Sequence, residues 1–143
     1  MIGLIVTGHG IFPTGILSSM KLIAGEQEKV VGVNFEEGQG SEILRNNIEK
    51  AIEELDTDEV LVLADLAGGS PFNISVLISE STSNKNIKVI AGTNLPMLLE
   101  VSLLREGSTL DDLIETAKVS ATTGIKEYKK KTKIEIDEEC DGI

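Results

Sequence analysis

His9 is the only histidine in the 143 residues, and its neighbours suggest that its side chain does chemistry. It follows an apolar run over residues 2–6 and Thr7, and lies between Gly8 and Gly10. An Ile- and Val-rich run that ends at a glycine predicts a buried parallel strand, whose carboxyl end is where open α/β sheets bind ligands. A neutral imidazole there could act as a nucleophile. The alternative, a histidine that only caps or packs, stays open on these residues alone.

Asp65 follows a second long apolar run, residues 59–64, so it also stands at the predicted carboxyl end of a strand. If the two strands are neighbours, the carboxylate can bond one ring nitrogen of His9. That bond would fix the tautomer and leave a lone pair on the other nitrogen. A simple turn residue is the alternative role for Asp65.

Gly68, Gly69 and Ser70 come next, and Pro71 follows them. Serine before proline is typical of a helix N-cap and the first helical position, so the sequence predicts a helix that Ser70 caps. The free N–H groups and the dipole of a helix N-terminus suit an anion such as phosphate. The plain alternative is that Ser70 does no more than cap.

The elements that must position these residues alternate between strand and helix four times, which predicts an α/β fold with a doubly wound, mainly parallel sheet. A strand order of 2-1-3-4 would open a crevice between the first and third strands, beside His9 and Asp65. A last helix is expected to start near Ser108 and run to Lys131. Residues 133–137 alternate in polarity and predict a fifth strand at a sheet edge. We therefore expect a domain over residues 1–131, followed by an edge strand and acidic tail over residues 132–143.

Composition and motifs argue against several classes of protein. The net charge of −11 disfavours a nucleic-acid surface, and one histidine with one cysteine is too few for a typical metal site. No dinucleotide or P-loop fingerprint suggests a cofactor, and Gly68–Phe72 lacks the last glycine of a hydrolase elbow around Ser70. No apolar run is long enough for a membrane span, and the single Cys140 fits a reducing cytoplasm.

Several stretches together resemble the IIA component of the mannose-type sugar phosphotransferase system. They are Gly8-His9-Gly10, Asp65, the GGSPFN stretch at residues 68–73, Gly25-Glu-Gln and Asn94-Leu-Pro-Met97. The resemblance covers roughly residues 1–130. It implies a phosphoryl carrier in which His9 accepts phosphate from the histidine-containing phosphocarrier protein and passes it to a IIB component. That component is implied to be a separate protein, acting with membrane IIC and IID components.

The resemblance also implies roles for the other residues. Asp65 would orient His9, and Ser70 with the amides of Gly68, Gly69 and Gly10 would hold the phosphate. Members of the family form homodimers that exchange the terminal strand, which here would bury Ile134 and Ile136 on the partner.

Two other functions remain open at this point. One is the phosphotransfer subunit of a dihydroxyacetone kinase, which shares a histidine after its first strand. The other is a noncatalytic α/β regulatory module in which His9 only contacts an anion. The sequence does not identify a sugar, because the IIA component of such a system does not touch it.

Overall fold

The computed structural model describes residues 1–131, and the predicted fifth strand and tail lie outside these residues. Four strands and five helices follow one another along the chain. They are β1 (Gly3–His9), α1 (Phe12–Ala24), β2 (Val30–Phe35), α2 (Ser41–Leu55), β3 (Glu59–Ala64), α3 (Ser70–Ser81), β4 (Asn86–Ile90), α4 (Leu95–Leu104) and α5 (Leu110–Thr123).

The four strands form one parallel sheet in the order β2-β1-β3-β4, which confirms the predicted topology. Ile5 of β1 is in register with Val31 of β2 and Val62 of β3, and Val62 is in register with Val89 of β4. β1 and β3 are therefore the central strands. Their carboxyl ends, which carry His9 and lead to Asp65, lie side by side.

Helices cover both faces of the sheet, because the two central strands are apolar on both sides. Leu4, Val6, Leu61 and Leu63 pack against α1, α4 and α5 on one face. The opposite face packs against α2 and α3. Its buried strand residues are Ile5, Val33, Val60, Val62 and Ile87.

The amino end of α3 differs from the prediction by one residue. The helix begins at Ser70, and Gly69 takes the N-cap position with extended backbone angles (φ −84°, ψ 168°). No side chain bonds the first-turn amides, so Ser70 is not the predicted N-cap. The first-turn amides of α3 are therefore left without a side-chain acceptor, and glycine is among the residues that occupy an N-cap.

The last helix is shorter than predicted. α5 ends at Thr123, and residues 125–131 are not helical. Gly124 is its C-cap, and a Cβ placed there would lie only 2.6 Å from Cγ of Pro96. The close approach to the first turn of α4 therefore leaves no room for a side chain at residue 124, and the low helix propensity of glycine favours the end of α5 there.

Arg105 links the backbone segments that precede β1 and β2. Its buried guanidinium donates to the carbonyls of Ile2 and Lys29, both at 3.1 Å, and to the carbonyl of Glu28. Burial lowers the pKa of Arg105, while the charges of Glu28 and Glu106 act in the opposite direction. Three backbone carbonyls thus face the buried charge, at the end of the sheet opposite His9.

Within residues 1–131 no helix is long and apolar enough to cross a membrane. No group of three or more His, Cys, Asp or Glu side chains in the same range could hold a metal ion.

Candidate functional site

His9 is the last residue of β1, and its side chain is 47% exposed. It is in register with Phe35 at the end of β2, whereas β3 pairs with β1 only as far as Thr7 and Ala64. Asp65 follows Ala64 directly, so the chain turns away from the sheet beside His9. The prediction that the two residues meet is confirmed by this geometry.

Asp65 contacts both the backbone and the ring of His9. Its Oδ2 accepts a hydrogen bond from the His9 amide at 3.0 Å and lies 2.8 Å from Nδ1 of the imidazole. Its other oxygen, Oδ1, accepts from the Leu66 amide at 2.8 Å. The side chain of Asp65 is 13% exposed, so little water competes for these bonds.

The protonation of the pair follows from these contacts. Burial by itself raises the pKa of Asp65. The hydrogen bonds from the amide and ring of His9 and from the Leu66 amide together outweigh this effect, so the pKa lies below its ordinary value. The carboxyl is therefore ionised at neutral pH and can only accept. Nδ1 of His9 must then carry a hydrogen, so in the neutral form of the ring the free lone pair is on Nε2.

Gly8 makes the close approach of Asp65 possible. A Cβ on Gly8 would lie 3.0 Å from both Cβ and Cγ of Asp65, and 2.8 Å from Cδ1 of Phe12. Any larger residue would push the carboxylate away from His9. Glycine before the histidine thus serves the contact with Asp65, besides the bend of the chain.

The first turn of α3 lies beside the other edge of the imidazole. The position of a Cβ on Gly69 is 2.7 Å from Cε1 and 3.3 Å from Nε2 of His9. Ser70 opens the helix next to it, and its hydroxyl makes no hydrogen bond within residues 1–131. The lone pair of Nε2 is therefore near a helix N-terminus whose amides lack side-chain caps.

Gly68 and Gly10 also lie at the site, and each has one backbone group that is already hydrogen-bonded. The carbonyl of Gly68 accepts from the side chain of Asn73 at 3.1 Å, which holds the turn onto α3. The amide of Gly10 already donates to the carbonyl of Phe35 at 2.7 Å. The turn before α3 therefore offers more to an anion than the loop after His9 does.

Phe35 is a site residue that the sequence did not single out. Its ring meets the His9 imidazole edge to face, with ring centres 6.0 Å apart. The available signal was its place at the end of β2, since the predicted order makes β2 a neighbour of β1. The aromatic contact limits the freedom of the imidazole on the side of β2.

Comparison with known proteins shows which family the chain belongs to. A family model described as the PTS system fructose IIA component, EIIA-man, matches residues 3–118. The chain belongs to the mannose-type EIIA family of the sugar phosphotransferase system.

Individual relatives agree with that assignment. The EIIA chain is 37% identical over 119 residues to the fructose-specific EIIA component of Bacillus subtilis, covering 82% of this chain and 80% of that protein. It is 33% identical over 132 residues to the mannose-specific EIIAB component of Escherichia coli, covering 91% of this chain but only 40% of that longer protein.

A solved structure agrees as well. The crystal structure of the phosphotransferase system component EIIA from Streptococcus agalactiae is 45% identical, with a TM-score of 0.84, over 89% of this chain and 97% of that one. Family membership thus gives this EIIA chain a phosphocarrier role in sugar transport, in the fold that its sequence pattern predicted.

Proposed function

We propose that His9 carries the phosphoryl group on Nε2. It receives the group from the histidine-containing phosphocarrier protein and passes it to a IIB component. The observation that carries this proposal is the 2.8 Å contact between Asp65 Oδ2 and His9 Nδ1, which leaves Nε2 as the free nucleophile on an exposed ring. The family match favours this relay over the dihydroxyacetone-kinase subunit.

The transfer step balances without a cofactor. The Nε2 lone pair attacks the phosphorus of the donor's phosphohistidine, the Nε2–P bond forms, and the donor's N–P bond breaks. The electron pair of the broken bond stays on the donor ring. His9 retains the hydrogen on Nδ1, so its phosphorylated ring gains positive charge, which the Asp65 carboxylate 2.8 Å away stabilises.

The first turn of α3 supplies the anion site in this proposal. Pro71 has no N–H, so the donors nearest the start of the helix are the amides of Ser70 and Phe72 and the hydroxyl of Ser70. The positive end of the helix dipole favours phosphate in the same place. Gly68 and Gly69 complete the turn, and a contact from Gly10 would require its bond to Phe35 to be shared.

Partner proteins, rather than a small substrate, fit the surroundings of His9. Ile11 and Leu66, which follow His9 and Asp65 closely in sequence, are 62% and 51% exposed. Exposed apolar side chains beside a reactive group are typical of a protein docking surface. The net charge of −11 would steer association with a basic partner. We place this relay in the cytoplasm, next to membrane IIC and IID components.

The test is phosphorylation with purified components. The protein is incubated with phosphoenolpyruvate, the general phosphotransferase and the histidine-containing phosphocarrier protein, and its mass is measured intact. We expect one added phosphoryl group that is labile in acid and stable in alkali, and that leaves when a IIB component is added. His9→Gln should not label, although its fold should be intact because His9 is half exposed.

Two results would count against the proposal. Labelling of the His9→Gln protein would place the phosphoryl group elsewhere. A wild-type protein that never labels would favour the noncatalytic anion-binding module.

We also propose a homodimer in which the terminal strand pairs with an open edge of the partner's sheet. Within residues 1–131, β2 pairs with β1 alone and β4 pairs with β3 alone, so each outer edge of the sheet is available to a terminal strand of a partner. Sedimentation of the full chain should show a dimer, and a chain truncated after Lys131 should be monomeric or poorly soluble. A monomer of 15.3 kDa for the full chain would contradict the exchange.

A further inference from the structure

We propose that Gly69 is a positioning residue of the phosphoryl-transfer site, because its missing side chain makes room for the His9 imidazole against the first turn of α3. The inference rests on the proposed function, and it assigns Gly69 a steric task that is separate from any amide contact with phosphate.

The contact is too short for any other residue. A Cβ on Gly69 would lie 2.7 Å from Cε1 of His9, a distance that real Cβ atoms essentially never show. The backbone of Gly69 does not itself require glycine, since φ −84° and ψ 168° lie in the extended region open to all residues. The requirement for glycine therefore comes from the ring of His9.

The ring has no easy way to move aside. Its Nδ1 is bonded to Asp65 at 2.8 Å, and the ring of Phe35, from the end of β2, lies edge to face with it at a centre distance of 6.0 Å. A displaced ring would have to lengthen the bond to Asp65 or move away from α3. Either movement would separate Nε2 from the amides that are proposed to receive the phosphoryl group.

The consequence for transfer is specific. Gly69 has no side chain with which to bind a donor protein. Its replacement should therefore slow the transfer step more than it weakens association with the donor. A misplacement of a reacting group by about 1 Å can cost on the order of 10²-fold in rate.

Gly40 provides a matched control for Gly69→Ala. It is also a helix N-cap glycine, at the start of α2, with nearly the same backbone angles (φ −92°, ψ 171°). A Cβ there would meet nothing within 4 Å. Gly40→Ala therefore reproduces the backbone effect of the substitution and lacks only the contact with His9.

The first measurement is transfer from the phosphorylated carrier protein, with the donor varied to separate kcat from KM. We expect Gly69→Ala to lower kcat on the order of 10²-fold with little change in KM, and Gly40→Ala to match the wild type. Equal rates for the two variants, with the wild type labelling at His9, would overturn the role of Gly69 and leave the proposed function intact.

The second measurement does not depend on transfer. Because the chain has one histidine, nitrogen-15 spectra of the imidazole report His9 alone. The wild type should show hydrogen on Nδ1 and a strong proton–proton contact between Hε1 and Gly69. Gly69→Ala should shift these ring signals, whereas Gly40→Ala should not. An unchanged ring in Gly69→Ala would overturn the inference, even if the wild type proved unable to accept phosphate.

A third experiment tests whether any loss of stability in Gly69→Ala comes from the overlap with His9. If Gly69→Ala lowers the melting temperature, the same substitution in a His9→Ala background should cost little, because the overlapping ring is gone. An equal loss in both backgrounds would show that the overlap with His9 is not the cause, and the inference would fail.

Discussion

Oδ2 of Asp65 serves the backbone and the side chain of His9 at once, accepting from the amide at 3.0 Å and lying 2.8 Å from Nδ1. The two residues are 56 positions apart in sequence. Because one oxygen bonds both groups, the loop after β3 fixes the position of His9 and the orientation of its ring together. The tautomer of the nucleophile thus depends on the packing of β1 against β3.

Replacing Asp65 by asparagine should slow transfer without abolishing labelling. Asp65→Asn keeps the shape, but it removes the negative charge that stabilises the phosphorylated ring and permits the other tautomer. We expect a loss in rate on the order of 10²-fold or more, measured by rapid-quench transfer from the phosphorylated carrier protein. Unchanged kinetics would show that transfer does not use this contact.

Asp65 should also contribute to stability in a pH-dependent way. Its pKa in the folded protein lies below the ordinary value of 3.8. A carboxyl with a lowered pKa stabilises the fold above the unfolded value, and this stabilisation is lost as the pH falls through the folded pKa.

The corresponding measurement compares urea unfolding of the wild type and Asp65→Asn over a range of pH. The difference in free energy of unfolding should be constant near neutral pH and should shrink below pH 3.8. Comparing two proteins is necessary because the other carboxyl groups titrate in the same range. A difference that grows towards acid would contradict the lowered pKa.

Ser70→Ala should have a small effect on rate and almost none on stability. The hydroxyl of Ser70 makes no cap hydrogen bond, contrary to the expectation from the Ser-Pro pair. We therefore expect the free energy of unfolding to change by less than about 0.5 kcal/mol.

If the hydroxyl donates to phosphate, its loss should raise the transfer barrier by about 0.5–1.5 kcal/mol, because the helix amides remain. Chemical unfolding and the transfer assay check the two expectations. A loss of rate as large as that of Asp65→Asn would mean that the hydroxyl, and not the helix amides, dominates the anion site.

Arg105→Met should separate stability from function. Loss of the guanidinium removes the bonds to the carbonyls of Ile2, Glu28 and Lys29, so we expect a destabilisation of about 3–5 kcal/mol. Labelling of the folded protein should be unaffected, because Arg105 lies at the amino ends of the strands.

Arg45→Met is a suitable control for this substitution. Arg45 pairs with Glu49 on the surface of α2, and a pair of this kind contributes only about 0.3–0.5 kcal/mol. Chemical unfolding of the two variants should therefore differ clearly. Equal stabilities would mean that the carbonyl bonds of Arg105 contribute little.

Sequence alone was sufficient for the order of the sheet and for the meeting of His9 with Asp65. Continuous apolar runs mark the four buried strands, and the order 2-1-3-4 expected for such a fold places the carboxyl ends of the first and third strands side by side. The glycine-flanked histidine and the GGSPFN stretch were also sufficient to suggest the family, which the match over residues 3–118 shows.

The tertiary structure decided what depends on distances between separate elements. α5 ends at Gly124, beside Pro96, where periodicity alone would continue it, and Gly69 rather than Ser70 caps α3. The ring of Phe35 beside His9 is signalled only through the strand order, and the burial of the Arg105 charge has no local signal. Such contacts arise only when the packed sheet brings distant side chains and carbonyls within a few ångströms, a separation that no spacing along the chain encodes.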